Sequence, residues 1–234
     1  MTEDGLRADR LTLRAGSREI LRDLSFDLRP GELVVLVGAS GSGKSLTLRA
    51  LVGRLPAGVV QAAGSVTFRR AHASLTPSTE RDWRSARGRL VDLVWQDGAL
   101  DPLRTIGAQL REAARLGGAS VDDACARAGL PPTLMSRHPH ALSGGEAQRA
   151  ALAIGFARGA PFLLADESTT GLDAAVERGV LRDVRRACDA GLAVLWVTHD
   201  LRTLAPVADR VIAIGPSAYA TTNPPSATRA EPVR

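Results

Sequence analysis

Lysine is almost absent from this chain: Lys44 is the single lysine among 30 basic residues, and all the others are arginine. An ammonium group is a compact point charge, whereas a guanidinium presents a wide planar fork. The position that keeps a lysine lies at the end of a glycine-rich stretch, where a phosphate-binding loop uses such a point charge. The scarcity of lysine therefore favours a chemical role for this residue.

Cysteines and aromatic residues are also few. Cys125 and Cys188 are the only cysteines; they lie far apart in segments of helical pattern, and no metal-ligand spacing surrounds them. This excludes a disulfide framework and favours reduced thiols that pack inside a protein of the cytosol. Aromatic residues make up only 3% of the chain, so the predicted core consists mainly of Leu, Val, Ile and Ala.

Long hydrophobic runs are missing as well. No apolar run approaches the ~18–20 residues that a membrane-spanning helix needs, and residues 1–10 are polar and charged, so we expect no membrane span and no signal peptide. The net charge of +5 would suit nucleic acid or an anionic membrane. The arginines are scattered along the sequence, however, which favours a solvated surface and no nucleic-acid partner.

The strongest motif is a glycine-rich turn between a predicted strand and a predicted helix. The apolar run at 33–37 is short and β-branched, and leucines recur at helical spacing after residue 45. Glycines let successive N–H groups surround one anion, and the helix N-terminus adds positive charge. We predict that Lys44 reaches a phosphate and that the Ser45 hydroxyl holds Mg²⁺; the alternative is a turn that binds nothing. The predicted loop comprises Gly38, Ala39, Ser40, Gly41, Ser42, Gly43, Lys44, Ser45 and Leu46.

Strand and helix signals alternate along the rest of the chain. This alternation predicts an α/β fold with a mostly parallel sheet flanked by helices, preceded by an N-terminal antiparallel β subdomain. A helical subdomain is predicted as an insertion at about 99–145. Predicted strands lie at 10–14, 24–28, 33–37, 64–70, 91–95, 162–165, 192–197 and 210–214, and predicted helices at 105–129, 145–158 and 174–190, with a short helix before 210.

Two carboxylates, Asp166 and Glu167, follow the apolar strand at 162–165. Ligands of parallel sheets bind at the carboxyl ends of the strands. Asp166 is predicted to hold Mg²⁺ or its water, because hard cations take oxygen ligands. Glu167 is then placed to accept a proton from an attacking water. The alternative is an ordinary acidic pair at the start of a helix.

A second glycine-containing motif precedes the helix predicted at 145–158. Ser143 and Glu146 have the spacing of a capping box. That role leaves Gly144 and Gly145 unexplained, because each costs roughly 1 kcal/mol in a helix relative to Ala. Bare N–H groups at a helix N-terminus suit a second phosphate contact, which we predict for Ser143, Gly144 and Gly145.

The order of these motifs resembles that of ATP-binding cassette (ABC) ATPases, which belong to the P-loop NTPases. The resemblance covers about residues 6–215, predicted as one ATPase domain with a disordered tail at 216–234. Within this family, the sequence is most similar to the ATPases of dipeptide, oligopeptide and nickel importers. The motifs are the phosphate loop, Gln96, Leu142-Ser143-Gly144-Gly145-Glu146, Asp166-Glu167, Gly171-Leu172-Asp173 and Thr198-His199-Asp200.

The resemblance implies roles for individual residues. Catalysis is assigned to Glu167, His199, Lys44 and Gln96, with His199 on the γ-phosphate and Gln96 sensing Mg²⁺ and facing a transmembrane partner. Mg²⁺ ligation is assigned to Ser45, Gln96 and Asp166. Ser143, Gly144 and Gly145 would contact ATP held by an opposite subunit, and Asp173 would lie at the dimer seam. The aromatic residue that stacks on adenine in the family is replaced by Ala15, so stacking is weaker or supplied by Arg14.

The resemblance also implies an activity and partners. Two cassettes, identical or different, would bury two ATP molecules between them, and their cycle would power solute import through permease subunits, with a solute-binding protein as an indirect partner. The expected location is the cytoplasmic face of the membrane. Alternatives are a soluble ABC ATPase of repair, translation or assembly, an exporter subunit, or a scaffold that binds ATP without hydrolysing it.

Overall fold

The computed structural model describes residues 4–71, 73–95, 100–166, 174–199, 201–215 and 219–222. The strands in these residues are β1 (Gly5–Ala15), β2 (Arg18–Leu28), β3 (Leu33–Gly38), β4 (Val59–Arg70), β5 (Ala73–Leu75), β6 (Val91–Val94), β7 (Phe162–Asp166), β8 (Ala193–Thr198), β9 (Arg210–Ile214) and β10 (Tyr219–Thr222). The α-helices are α1 (Lys44–Leu51), α2 (Glu80–Ala86), α3 (Ile106–Gly117), α4 (Val121–Ala128), α5 (Gly144–Ala157) and α6 (Ala174–Asp189).

A six-stranded sheet of order β10-β9-β3-β8-β7-β6 forms the centre of the fold. Strands β9, β3, β8, β7 and β6 run parallel, and β10 pairs antiparallel with β9. Since β8 lies between β3 and β7, the carboxyl ends of these three strands meet at one edge. The predicted phosphate loop, Asp166 and His199 are therefore brought to the same side of the sheet.

The two faces of this sheet pack against different layers. Along β3, Leu33, Val35 and Val37 belong to a core shared with α3, α4, α5 and α6. Val34 and Leu36 belong to a second core shared with α1 and with a four-stranded antiparallel sheet of order β2-β1-β4-β5. This alternation confirms the predicted α/β architecture with its N-terminal antiparallel sheet.

The helical insertion is divided differently from the sequence prediction. A single helical pattern was predicted over 105–129, but the chain forms α3 and α4 with a break at Gly118, whose φ of 78° is left-handed. Thr105 and Ser120 each cap the helix that follows, through side-chain oxygens that accept N–H bonds. The sequence prediction did not recognise the glycine pair Gly117-Gly118 as the end of a helix.

Other segments also differ from the prediction. Residues 201–209 form turns, so the short helix predicted there is wrong. Helix α2 was not predicted; it begins at a capping box formed by Thr79 and Asp82. The segment 216–234 was predicted as a disordered tail, but Tyr219–Thr222 forms a strand paired with β9, so the prediction is wrong for these four residues. Among the described residues, no helix combines the length and hydropathy needed to cross a bilayer.

Candidate nucleotide-binding site

A cavity of about 470 Å³ lies at the carboxyl edge of the parallel sheet. It is lined by residues of the loop between Ser40 and Leu46 and by His199. His199 directly follows β8, and its side chain is exposed. The structure thus brings together two of the predicted features that are far apart in sequence.

The conformation of the loop depends on its glycines. Gly41 and Gly43 have φ angles of +77° and +96°, which other residues rarely adopt. A Cβ atom on Gly38 would lie 2.5 Å from the backbone oxygen of Ile214 and 2.6 Å from Ser42 Oγ. Gly43 is also the residue before α1, and no side chain caps that helix among the described residues. The first N–H groups of α1 are therefore available to an anion.

Lys44 lies at the base of this loop. Its ammonium group donates to the carbonyl oxygens of Gly38, at 2.8 Å, and Ala39, at 3.1 Å. The residue is only 6% exposed, so the loop fixes the position of its charge. An ammonium has three protons to donate, and a phosphate oxygen is a suitable acceptor for the third.

Ser45 and Asp166 form the candidate magnesium site. The Ser45 hydroxyl donates to Asp166 Oδ1 at 3.1 Å, although the two residues are 121 positions apart. Asp166 ends β7 and is 7% exposed. A hydroxyl and a carboxylate are oxygen donors of the kind that Mg²⁺ prefers. Ser42 Oγ is buried without a hydrogen-bond partner among the described residues, which also fits a polar ligand in the loop.

Three residues predicted for the site lie outside the described residues: Glu167, Gln96 and Asp173. Glu167 follows Asp166 directly in the chain, and Gln96 follows Trp95. The guanidinium of Arg49 lies over the Trp95 ring, 4.4 Å from its centroid.

The second predicted phosphate contact begins α5. Ser143 Oγ accepts from the Glu146 N–H at 3.3 Å, and Glu146 Oε2 accepts from the Ser143 N–H at 2.8 Å, which is the predicted capping box. The bond from the Ser143 N–H lowers the pKa of the Glu146 carboxyl. The cavity at the phosphate loop is not lined by Ser143 or Gly145 within the described part of the chain. Within the described residues, the α5 motif therefore does not contribute to the cavity at the phosphate loop of its own chain.

Gly145 has a packing role that the sequence did not reveal. A Cβ atom at this position would lie 2.5 Å from Cγ1 of Val176 in α6. Close contact between α5 and α6 thus requires a glycine here, independently of any ligand.

The hairpin of β1 and β2 approaches the phosphate loop through an aliphatic residue that sequence reasoning missed. A Cβ atom on Gly43 would lie 3.4 Å from Ile20 Cγ2, so Ile20 packs against the loop. Ala15 pairs with Arg18 and Val59 in the antiparallel sheet. Arg14, which the sequence suggested as a stacking residue, is exposed in the same hairpin.

A larger cavity of about 800 Å³ lies between the C-terminal end of α1 and the helical insertion. We name it the arginine groove, because its lining includes five arginines, while Asp92 is its one acidic residue. Asp92 is paired with Arg158 at 2.8 Å, and burial raises the pKa of its carboxyl. The fold thus brings together arginines that are scattered along the sequence. The five are Arg49, Arg54, Arg87, Arg89 and Arg158.

Comparison with known proteins agrees with this geometry. The sequence profile of a family described as ABC transporter matches residues 21–170. This match covers more than half of the chain and includes the phosphate loop and Asp166. The chain belongs to the ABC transporter family. The resemblance predicted from the motif order is thereby confirmed.

Relatives within the family include importer components. The oligopeptide transport ATP-binding protein OppD of Mycobacterium tuberculosis is 38% identical over an alignment of 206 positions that covers 82% of this chain and 33% of OppD. The glutathione import ATP-binding protein GsiA of Escherichia coli is 34% identical over an alignment of 209 positions that covers 82% of this chain and 34% of GsiA. The chain thus spans about a third of the length of these relatives.

Solved structures confirm the cassette fold. The dimeric structure of MJ0796, a bacterial ABC transporter cassette, superposes with a TM-score of 0.79 at 22% identity, covering 94% of this chain and 99% of that one. The same cassette has been determined as a dimer in a post-hydrolysis state bound to ADP and Pi, with the same TM-score of 0.79.

Proposed function

We propose that this chain is the ATP-hydrolysing subunit of an ABC importer for peptide-like or other small solutes. The observation that carries the proposal is the arrangement at the carboxyl edge of the sheet. There Lys44, Ser45, the glycine loop and His199 line one cavity, and the Ser45 hydroxyl donates to Asp166. The importer assignment is supported by the relatives, which are named for oligopeptide transport and glutathione import.

The residues around the cavity have separate roles in the transfer of a phosphoryl group to water. Lys44 and the N–H groups at the start of α1 bind the phosphates and offset their charge. Ser45 and Asp166, with Gln96, would hold Mg²⁺, which would supply further charge neutralisation. Glu167 accepts the proton of the attacking water, and His199 donates a hydrogen bond to the γ-phosphate.

A second cassette completes the site. Because the α5 motif does not line the cavity at the phosphate loop among the described residues, we propose that Ser143, Gly144 and Gly145 contact ATP held by the partner, which is a second copy or a different chain. ATP then adds affinity only to the closed pair, and hydrolysis releases it. Association is therefore linked to the nucleotide cycle.

The arginine groove is the proposed contact with the permease. It is lined by Trp95, which directly precedes Gln96, the residue that the family resemblance assigns to the contact with a transmembrane partner. Its positive charge suits an acidic segment of the permease at the cytoplasmic membrane face. A solute-binding protein would act through the permease alone.

Phosphate release from Mg-ATP by the purified chain tests the proposal. Lys44→Ala is expected to lower the rate by about 100-fold or more, because it removes a fixed charge from the transferring group. Glu167→Gln is expected to abolish turnover while nucleotide binding persists. The exposed Arg115 on α3, replaced by Ala, is the control and keeps the full rate. Unchanged turnover in Lys44→Ala would contradict the proposal.

A further inference from the structure

Arg149 lies where three helices meet. One nitrogen of its guanidinium, Nη1, donates to the carbonyl oxygen of Ala128 at the end of α4, at 3.1 Å, and to Asp183 Oδ2 of α6, at 2.6 Å. The side chains of Arg149 and Asp183 are only 19% and 14% exposed. A single group on α5 thus connects the helical insertion to a helix of the main core.

Two glycines make room for this guanidinium. A Cβ atom on Gly179 of α6 would lie 2.6 Å from Arg149 Nη2. A Cβ atom on Gly129, which follows α4, would collide with Nη1 and lie 2.6 Å from Asp183 Oδ2. A larger residue at either position would force the guanidinium to move, so both glycines are in close contact with it.

The connection lies one helical turn from the motif that begins α5. Gly145 touches Val176 of α6, and Arg149, four residues later, bonds to the same helix. Helix α6 is also joined to the segment after His199, because Thr203 Oγ1 donates to Glu177 Oε1 at 2.9 Å. The helix therefore contacts both the α5 motif and the chain that carries His199.

We propose that Arg149 is a positioning residue that holds the N-terminal end of α5 in register with α6 and with the helical insertion. It does not line the cavity at the phosphate loop within the described residues, so it acts through Ser143, Gly144 and Gly145. The expected effect of Arg149 on ATP turnover rests on the proposed function, whereas its effect on the position of α5 does not.

The structure allows this residue to be removed without leaving an isolated charge. Asp183 Oδ1 also lies 3.6 Å from Arg186 Nη1, so the carboxylate keeps a cationic neighbour in Arg149→Met. We therefore expect Arg149→Met to lose the link between the helices but to keep the fold. Arg149→Lys is expected to restore most of it, because one nitrogen makes both bonds and a lysine ammonium can donate both.

Arg185 provides a matched control. It donates to Asp209 Oδ2 at 2.6 Å, and the two side chains are 19% and 20% exposed, so the pair is as short and as buried as Arg149–Asp183. It ties α6 to the chain before β9 instead of to α5. Arg185 also donates to the carbonyl oxygen of Gly31 at 2.8 Å and to Asp189 Oδ1 at 3.0 Å. Arg185→Met thus removes at least as many contacts from the same helix without touching the proposed link.

Amide hydrogen exchange of the nucleotide-free protein tests the inference without requiring ATP binding. In Arg149→Met we expect exchange at the N-terminal half of α5 and at the end of α4 to rise by about tenfold, since a charge-assisted bond is lost. Arg149→Lys should return it close to the wild-type rate. Equal exchange of these segments in Arg149→Met and Arg185→Met would overturn the positioning role.

Steady-state ATP hydrolysis adds a second readout. Arg149→Met should lower kcat by about tenfold with little change in KM, because the phosphate loop is intact while the α5 motif is misplaced. A fall in kcat no larger than that of Arg185→Met would also overturn the role. A wild-type protein that neither hydrolyses nor binds Mg-ATP would instead contradict the proposed function, and the exchange measurement would still decide the role of Arg149.

Discussion

At the scale of single residues, Gly145 has two separate reasons to be a glycine. The sequence suggested a contact with a phosphate, and the structure adds the packing of Val176, 2.5 Å from the place of a Cβ. The first reason can be inferred from the glycine motif and from the free-energy cost of a glycine within a helix. The second depends on where α6 passes, which no local pattern encodes.

Substitution can separate these two reasons. Gly145→Ala is expected to lower the free energy of unfolding by about 1–3 kcal/mol, because the added methyl group is forced against α6. Adding Val176→Ala should restore stability in chemical denaturation. If the double variant regains stability but not ATP-dependent activity, Gly145 also serves the nucleotide; if stability is not regained, the contact with Val176 is not the cause.

The two cysteines should be unreactive in the folded protein. Burial raises the pKa of the Cys188 thiol to about 12 and also raises that of Cys125, so little thiolate, the reactive form, exists near neutral pH. An aromatic disulfide reagent at pH 8 is expected to label neither cysteine until denaturant unfolds the chain. Rapid labelling of Cys188 in the native protein would contradict its burial.

At the scale of elements, the helices and strands that were predicted correctly are those whose own sequence carries a clear pattern. The strand, glycine turn and helix at 33–51 were predicted because each carries its own pattern, and Arg210–Ile214 was predicted to the residue. The interruption at Gly118 was missed because apolar spacing continues on both sides of it. Helix α2 had a signal, the Thr79–Asp82 spacing of a capping box, in a polar, arginine-rich segment for which no helix was predicted.

The break between α3 and α4 contains two glycines, at which an added side chain is expected to cost different amounts of stability. Gly118 has a φ of +78° and open space around it, so Gly118→Ala should cost about 1 kcal/mol through backbone strain alone. A Cβ on Gly117 would collide with the backbone of Arg158, and Gly117→Ala should cost about 3 kcal/mol. Urea denaturation measures both. Equal costs would mean that the α3 terminus does not pack on residue 158 as described.

At the scale of the whole molecule, folding produces a charge cluster that the sequence conceals. The five arginines of the arginine groove come from positions 49 to 158 and meet only because α1, β6 and the end of α5 converge. The same reason explains the Ser45–Asp166 pair, whose members are 121 positions apart. Sequence motifs named both residues, but only the sheet order places them in contact.

Charge reversal in the groove should uncouple the chain from its membrane partner. Arg54 and Arg89 are exposed lining residues, and replacing both with Glu is expected to release the protein from permease-containing membranes in a sedimentation assay. Hydrolysis of ATP by the purified variant should remain within about twofold of the wild-type rate, because the phosphate loop is untouched. Full retention on the membranes would exclude the groove as the contact.

The most direct test of the account is the mass of Glu167→Gln protein measured by light scattering, with nucleotide absorbance recorded on the same peak, in the presence and absence of Mg-ATP. We predict a species of twice the single-chain mass that carries nucleotide and forms only with Mg-ATP. A monomer that carries nucleotide would assign the second cassette to a different chain. A monomer without nucleotide would contradict the central claim that Lys44, Ser45 and Asp166 form an ATP site.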